Sequence, residues 1–220
     1  MKRSSGPRKT AFKFPESVRH QLNRLAIAII LAGAGLFALA WPAGAQIVYK
    51  PTVITVKENS SYNLDLNKDG VTDFIISTNQ SVQRCGPGQQ GPYDTVAETA
   101  ASGNAAVGSP AALLQEGQQI GPSQAFYGGT GGMAWTFFCN GGSTGGDNWI
   151  DEQYCGYMCE HLTFLTGYLG LMFQVNGETY YGWALLSVKL RRENFDLVVT
   201  LHGYAYETTP GVPINAGQTQ

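Results

Sequence analysis

The sequence predicts an all-β fold. It reads as a single antiparallel β-sandwich domain of jelly-roll type with long loops, preceded by an N-terminal signal helix. Three observations predict it. Residues 168–175 (YLGLMFQV) and 178–188 (ETYYGWALLSV) flank Asn176-Gly177, the strongest short hairpin signal because both central residues of that turn need positive φ. Runs rich in Val, Ile, Thr and aromatics recur at 47–56, 72–78 and 132–139, with turn residues between them, as strands do. Beyond residue 45 no long stretch keeps a helical period; at most 111–115 forms one short helical turn.

Segment 1–45 is built as a secretory signal. Its first part carries Lys2, Arg3, Arg8, Lys9, Lys13, Arg19 and Arg24 against one acid, Glu16. Residues 25–40 (LAIAIILAGAGLFALA) are uncharged, and Ala43-Gly44-Ala45 is a small-x-small site, which predicts cleavage before Gln46. The alternative is a retained membrane anchor. A span needs roughly 20 apolar residues, and this run reaches that only by counting Trp41-Pro42-Ala43.

Removal of 1–45 changes the charge. That segment takes seven of the 14 basic residues and one of the 16 acids, leaving seven and 15, a balance of −8 instead of −2. Such an acidic protein is unsuited to nucleic acid or an anionic membrane, both of which need a cationic partner surface. Membrane contact is expected only through an uncleaved signal segment. The remaining 46–220 is one ordinary domain, secreted, periplasmic or on the extracellular surface.

All four cysteines, Cys85, Cys139, Cys155 and Cys159, fall after the signal. An even count in an exported protein predicts two disulfides with three possible pairings. The rival, a zinc site with His161 as a ligand, matches no common spacing.

Asp65-Leu-Asn67-Lys-Asp69-Gly70-Val71-Thr-Asp73 is the most specific motif. Calcium takes six to eight oxygens at about 2.4 Å. Alternate oxygen-bearing residues in a tight loop point inward together, and Gly70 permits the sharp turn. Asp65, Asn67, Asp69 and Asp73 would offer side-chain oxygens and Val71 its carbonyl, predicting a structural calcium ion. The first half resembles the calcium loops of EF-hands and dockerins. Its twelfth position is Ile76 instead of Glu, and its flanks are strand-like. The spacing is closer to the D-x-[DN]-x-D-G-x-x-D loops that join strands in propeller and adhesion proteins. The bland alternative is a polar hairpin loop.

Segments 86–131 and 140–160 read as long loops, the first rich in Gly, Pro, Gln, Ala and Ser with one short strand near 125–127, and the tail after Thr208 as a loose terminus. Within 140–160, Trp149, Tyr154 and Tyr157 form a candidate aromatic platform for sugar rings, or else a lid tied down by disulfides. No catalytic residues are assigned. Gly141-Gly-Ser143-Thr-Gly145 lacks the strand–turn–helix setting of a nucleophile elbow. His202 falls opposite the apolar face of its strand, as a surface or hydrogen-bonded histidine. In the last strand, residues 195–206, Phe195, Leu197, Val199 and Leu201 share one face, as do Leu169, Leu171, Phe173 and Val175 earlier.

The ending is also familiar. Tyr168-Leu-Gly170-Leu-x-Phe173, Tyr181-Gly182-Trp183, Gly203-Tyr204-Ala205-Tyr206-Glu207-Thr208 and Pro210-Gly211-x-Pro213-Ile214-x-Ala216-Gly217 resemble a group of exported bacterial proteins that share a YLGLxF…YGW…GYAYETxPGxPIxAG ending. Some of these carry a sorting tail with a PEP motif, which the ending Ala216-Gly-Gln-Thr-Gln220 does not show. The resemblance implies a β-rich exported domain and no activity. The function classes in view are a non-catalytic binding protein for a glycan or cell-surface component, an extracellular polysaccharide hydrolase, and a structural envelope component.

Overall fold

Residues 46–139, 142–151, 163–191 and 196–220 are described in a computed structural model. The predicted signal helix, Cys155, Cys159, Tyr154, Tyr157 and His161 lie outside the described residues. What is described is all-β, with antiparallel sheets, no helix and no closed barrel. In sequence order the strands are β1 (Ile47–Val56), β2 (Ser61–Leu64), β3 (Phe74–Gly86), β4 (Gln89–Ala100), β5 (Ala105–Val107), β6 (Gln119–Ile120), β7 (Phe126–Tyr127) and β8 (Thr130–Cys139). They continue with β9 (Gly142–Gly146), β10 (Ile150–Asp151), β11 (Thr163–Phe164), β12 (Thr166–Val175), β13 (Glu178–Arg191), β14 (Asp196–Glu207) and β15 (Ile214–Asn215).

A six-stranded sheet runs β1-β14-β13-β12-β5-β7 and a five-stranded sheet runs β2-β3-β4-β8-β9. The predicted C-terminal meander is the heart of the first. Val175 pairs with Glu178 across Asn176-Gly177, and those two residues take φ of 53° and 83°, as the two-residue turn demands. Pro51 falls in β1, at the edge of its sheet, where a missing N–H costs no ladder bond.

Each sheet contributes one face to a common apolar cluster. Leu64, Phe74, Ile76, Val96 and Met133 come from the five-stranded sheet; Leu169, Leu171, Phe173, Leu186, Val188, Leu197, Val199 and Leu201 come from the six-stranded one. The alternation read from the sequence is therefore the inner face. In β14 it changes parity. Leu186 pairs with Leu201 but Leu185 with Gly203, so His202 is the extra residue of a bulge. Beyond it Tyr204 and Tyr206 join the inner cluster while Ala205 faces the other way.

The structure corrects four expectations. Segment 140–160, read as a loop, holds β9, which pairs with β8 at the edge of the five-stranded sheet, and the short β10. Segment 86–131 contains a 12-residue strand, β4. Its inner positions are Asp94, Val96, Glu98 and Ala100, and the two acids break the apolar alternation that marks a strand. Residues 111–115 form no helical turn; Leu114 instead bridges Tyr168. The tail is not loose. Ile214 and Ala216 are buried, and Ile214 pairs with Ile120.

Tail and 107–120 segment together cover the outer face of the six-stranded sheet. Val107, Leu114, Ile120, Tyr181, Trp183, Ala205, Ile214 and Ala216 form a second apolar cluster. Gly170 makes room for it. A Cβ there would lie 2.7 Å from Val107 Cγ2 and 2.8 Å from Leu114 Cδ1.

Candidate metal centre and the cavity beside it

Residues 65–73 are the loop of the β2–β3 hairpin, closed by the Leu64–Phe74 pair. Its apolar member, Leu66, is fully buried, which pins the loop to the core and leaves the alternating polar residues to curl above it. Asp65 organises the turn. Its Oδ1 accepts the N–H of Lys68 (2.7 Å) and Asp69 (3.3 Å), and its Oδ2 accepts that of Gly70 (2.9 Å). Lys68 and Gly70 both take positive φ, 63° and 90°; the glycine does so without steric cost.

Asn67 and Asp69 lie on the same turn. Asn67 Nδ2 donates to Asp69 Oδ2 at 2.9 Å, and Val71 N–H donates to Asp69 Oδ1 at 2.8 Å. These two donors, Asn67 first, hold the Asp69 carboxyl below the usual carboxylate range. Val71 itself is 62% exposed. Asp73 differs. It is only 4% exposed, and accepts the N–H of Leu66 at 2.8 Å and the amide of Asn104 at 3.4 Å. Burial pushes its pKa up, the Leu66 N–H opposes that, and the negative charges of Asp65 and Asp69 push it up again.

The loop thus joins Asp65, Asn67 and Asp69 by hydrogen bonds and couples Asp73 to them by charge. Among the described residues, no three His, Cys, Asp or Glu side chains already converge on one point. What the loop offers is an all-oxygen donor set with mutually repelling carboxylates, suited to a hard dication. A carboxylate has about four lone-pair positions, so those already holding N–H groups retain acceptor capacity.

Beside the loop is a cavity of about 300 Å³ lined by Asn67, Phe173, Val175, Tyr180, Tyr206 and Thr208. Phe173 is its floor, with Tyr180 tilted against it and Tyr206 edge-on, both at 5.6 Å between ring centres. Gly182 pairs with Tyr206 and adds no side chain to that face. The loop is anchored to the same strand by Lys68, whose Nζ sits 5.5 Å over the Tyr204 ring. The bulge at His202, invisible in the apolar pattern, is what brings Tyr206 to the inner face.

Of the predicted aromatic platform, Trp149 is 0% exposed, with its Nε1 donating to Ala111 O at 3.1 Å. It is a core residue, so no platform includes it. Of the cysteines, Cys85 and Cys139 form a disulfide between β3 and β8, with Cα atoms 5.8 Å apart. Gly91 sits beside it, where a Cβ would fall 1.8 Å from Phe138 O and 3.2 Å from Cys85 Sγ. His202 Nε2 and Ser187 Oγ are hydrogen-bonded at 2.8 Å. Among the described residues no carboxylate hydrogen-bonds the other ring nitrogen, so no triad is assembled there.

The protein matches no protein family, no curated protein and no solved structure.

Proposed function

We propose that the protein is an exported, non-catalytic β-sandwich, stabilised by calcium in the 65–73 loop, that binds a saccharide ring of a surface or matrix glycan in the cavity beside that loop. The observation that carries this reading is the adjacency itself. Asn67 belongs both to the all-oxygen loop and to the wall of the aromatic cavity. Tyr180 and Tyr206 present ring surface and Asn67 and Thr208 present polar groups, and aromatic walls with a few placed polar groups are a usual form of a small-ligand site. Export is supported by the signal-like segment 1–45, by the resemblance of the C-terminal motifs to exported bacterial proteins, and by the Cys85–Cys139 disulfide, since disulfides persist in oxidising compartments.

Calcium binding to the folded state alone raises stability by mass action. The melting temperature is expected to rise with calcium and fall with chelator. A glycan array probed with and without calcium should show binding that needs the ion and that Tyr206→Ala reduces by about tenfold or more, the loss of roughly one stacking contact. A melt indifferent to calcium and chelator removes the metal. Product release in place of binding would identify a hydrolase, and silence on every glycan a structural envelope component.

A further inference from the structure

We propose that Glu207 is the docking site for the protein's own new amino terminus, created when a signal peptidase cuts between Ala45 and Gln46. The inference rests on the export reading above. Glu207 is 1% exposed, and its Oε1 accepts two backbone donors, Thr209 N–H at 2.8 Å and Gln46 N–H at 3.1 Å. The position of Gln46 is fixed independently: Thr208 N–H donates to Gln46 O at 3.0 Å, and Ile47 pairs with Glu207 where β1 meets β14. Among the described residues no Lys, Arg or His forms an ion pair with Glu207; the ion pair seen is Arg191–Asp196. A buried carboxylate served only by neutral donors is costly, and this one is aimed at the nitrogen that processing would charge.

Hydrolysis supplies that charge. Water adds across the Ala45–Gln46 bond, Ala45 gains the carboxylate, and the Gln46 nitrogen becomes a protonated amine. A neutral donor at 3.1 Å turns into a charge-assisted one without leaving its place. The same contact blocks a side reaction. A free amino-terminal glutamine cyclises when its unprotonated amine attacks the carbonyl carbon of its own carboxamide. The bond from that carbon to the amide nitrogen then breaks and ammonia leaves. An amine held protonated against Glu207 has no lone pair to attack with, so the fold keeps Gln46 linear.

The full-length protein is expressed in an exporting bacterium, and the exported product is weighed intact, at once and after incubation, both folded and in urea. The expected product begins at Gln46 with a free amine. Loss of ammonia should be about tenfold slower folded than in urea, the factor one charge-assisted hydrogen bond is worth. Glu207→Gln should bring the folded rate toward the urea rate and lower Tm by roughly 3–6 °C, the same tenfold factor read as stability in a domain of this size. A precursor left uncut overturns the export reading together with this one. A product that begins elsewhere, or that begins at Gln46 and cyclises as fast folded as unfolded, overturns the docking and leaves export standing. Should Glu207→Gln not fold, the folded-versus-urea comparison on the natural protein decides.

Discussion

At the residue scale the least expected group is Glu98. It lies on the inner face of β4, 1% exposed, with its carboxyl accepting the Gly131 N–H and its Oε2 without a hydrogen-bond partner among the described residues. Burial pushes its pKa up to about 7, and pushes that of Asp94, four residues earlier on the same face, up to about 6. Both carboxyls therefore hold their protons more tightly folded than unfolded. Their contribution to stability is full below the ordinary carboxyl range of about 4 and is lost as pH rises through about 6 and about 7. Glu98→Gln keeps a neutral group of the same shape. It is expected to flatten the stability profile between pH 5 and 8 and to add up to roughly 3 kcal/mol at pH 8, read from urea unfolding across pH. A profile unchanged from the natural protein would show that Glu98 is not the titrating group. The same two acids explain why β4 was illegible in the sequence: alternation is recognised by apolar side chains, and here half the inner positions carry carboxyls.

At the scale of elements, the β12–β13–β14 meander was legible as far as the bulge at His202. Up to that point its alternation is clean and its first turn is Asn176-Gly177, so local and tertiary preferences agree. What the sequence hid was the destination of the other face. Tyr168, Gly170, Tyr181, Trp183, Ala205, Ile214 and Ala216 all fall after residue 167, and in the structure they meet in the outer cluster or make room for it. Tyr168 stands edge-on to Trp183 at 5.2 Å, and Trp183 Nε1 donates to Gln218 O at 3.1 Å. Such contacts join residues far apart in the sequence, and small residues such as Gly170 and Ala216 give no periodic signal. Gly170→Val is expected to lift the 107–120 segment off the sheet and cost about 1–3 kcal/mol, the usual penalty of overpacking, measured by denaturant unfolding. Gly177→Val tests the turn instead: a β-branched residue at φ 83° should destabilise the hairpin by at least about 1 kcal/mol. The 65–73 hairpin loop was legible in residue types and spacing, because its polar turn residues and Gly70 are local features. The cavity beside it was not, since its wall depends on a bulge.

At the scale of the whole molecule, the Cys85–Cys139 bond ties β3 to β8 across 54 residues of sequence. Replacing both cysteines by serine should lower stability by roughly 2–4 kcal/mol, mainly by freeing the unfolded state, and should leave the proposed calcium affinity unchanged because the 65–73 loop is at the opposite end of β3. A matched loss of calcium affinity would mean the two ends unfold as one. The two apolar clusters carry a further consequence. Strands β12 and β13 have the inner cluster against one face and the outer cluster against the other, and neither is a sheet edge. Their amides are doubly shielded from solvent and can open only when the protein opens globally. In heavy water this ribbon should be the last part of the molecule to give up its hydrogens, a slow-exchanging spine against which every other strand's breathing can be timed.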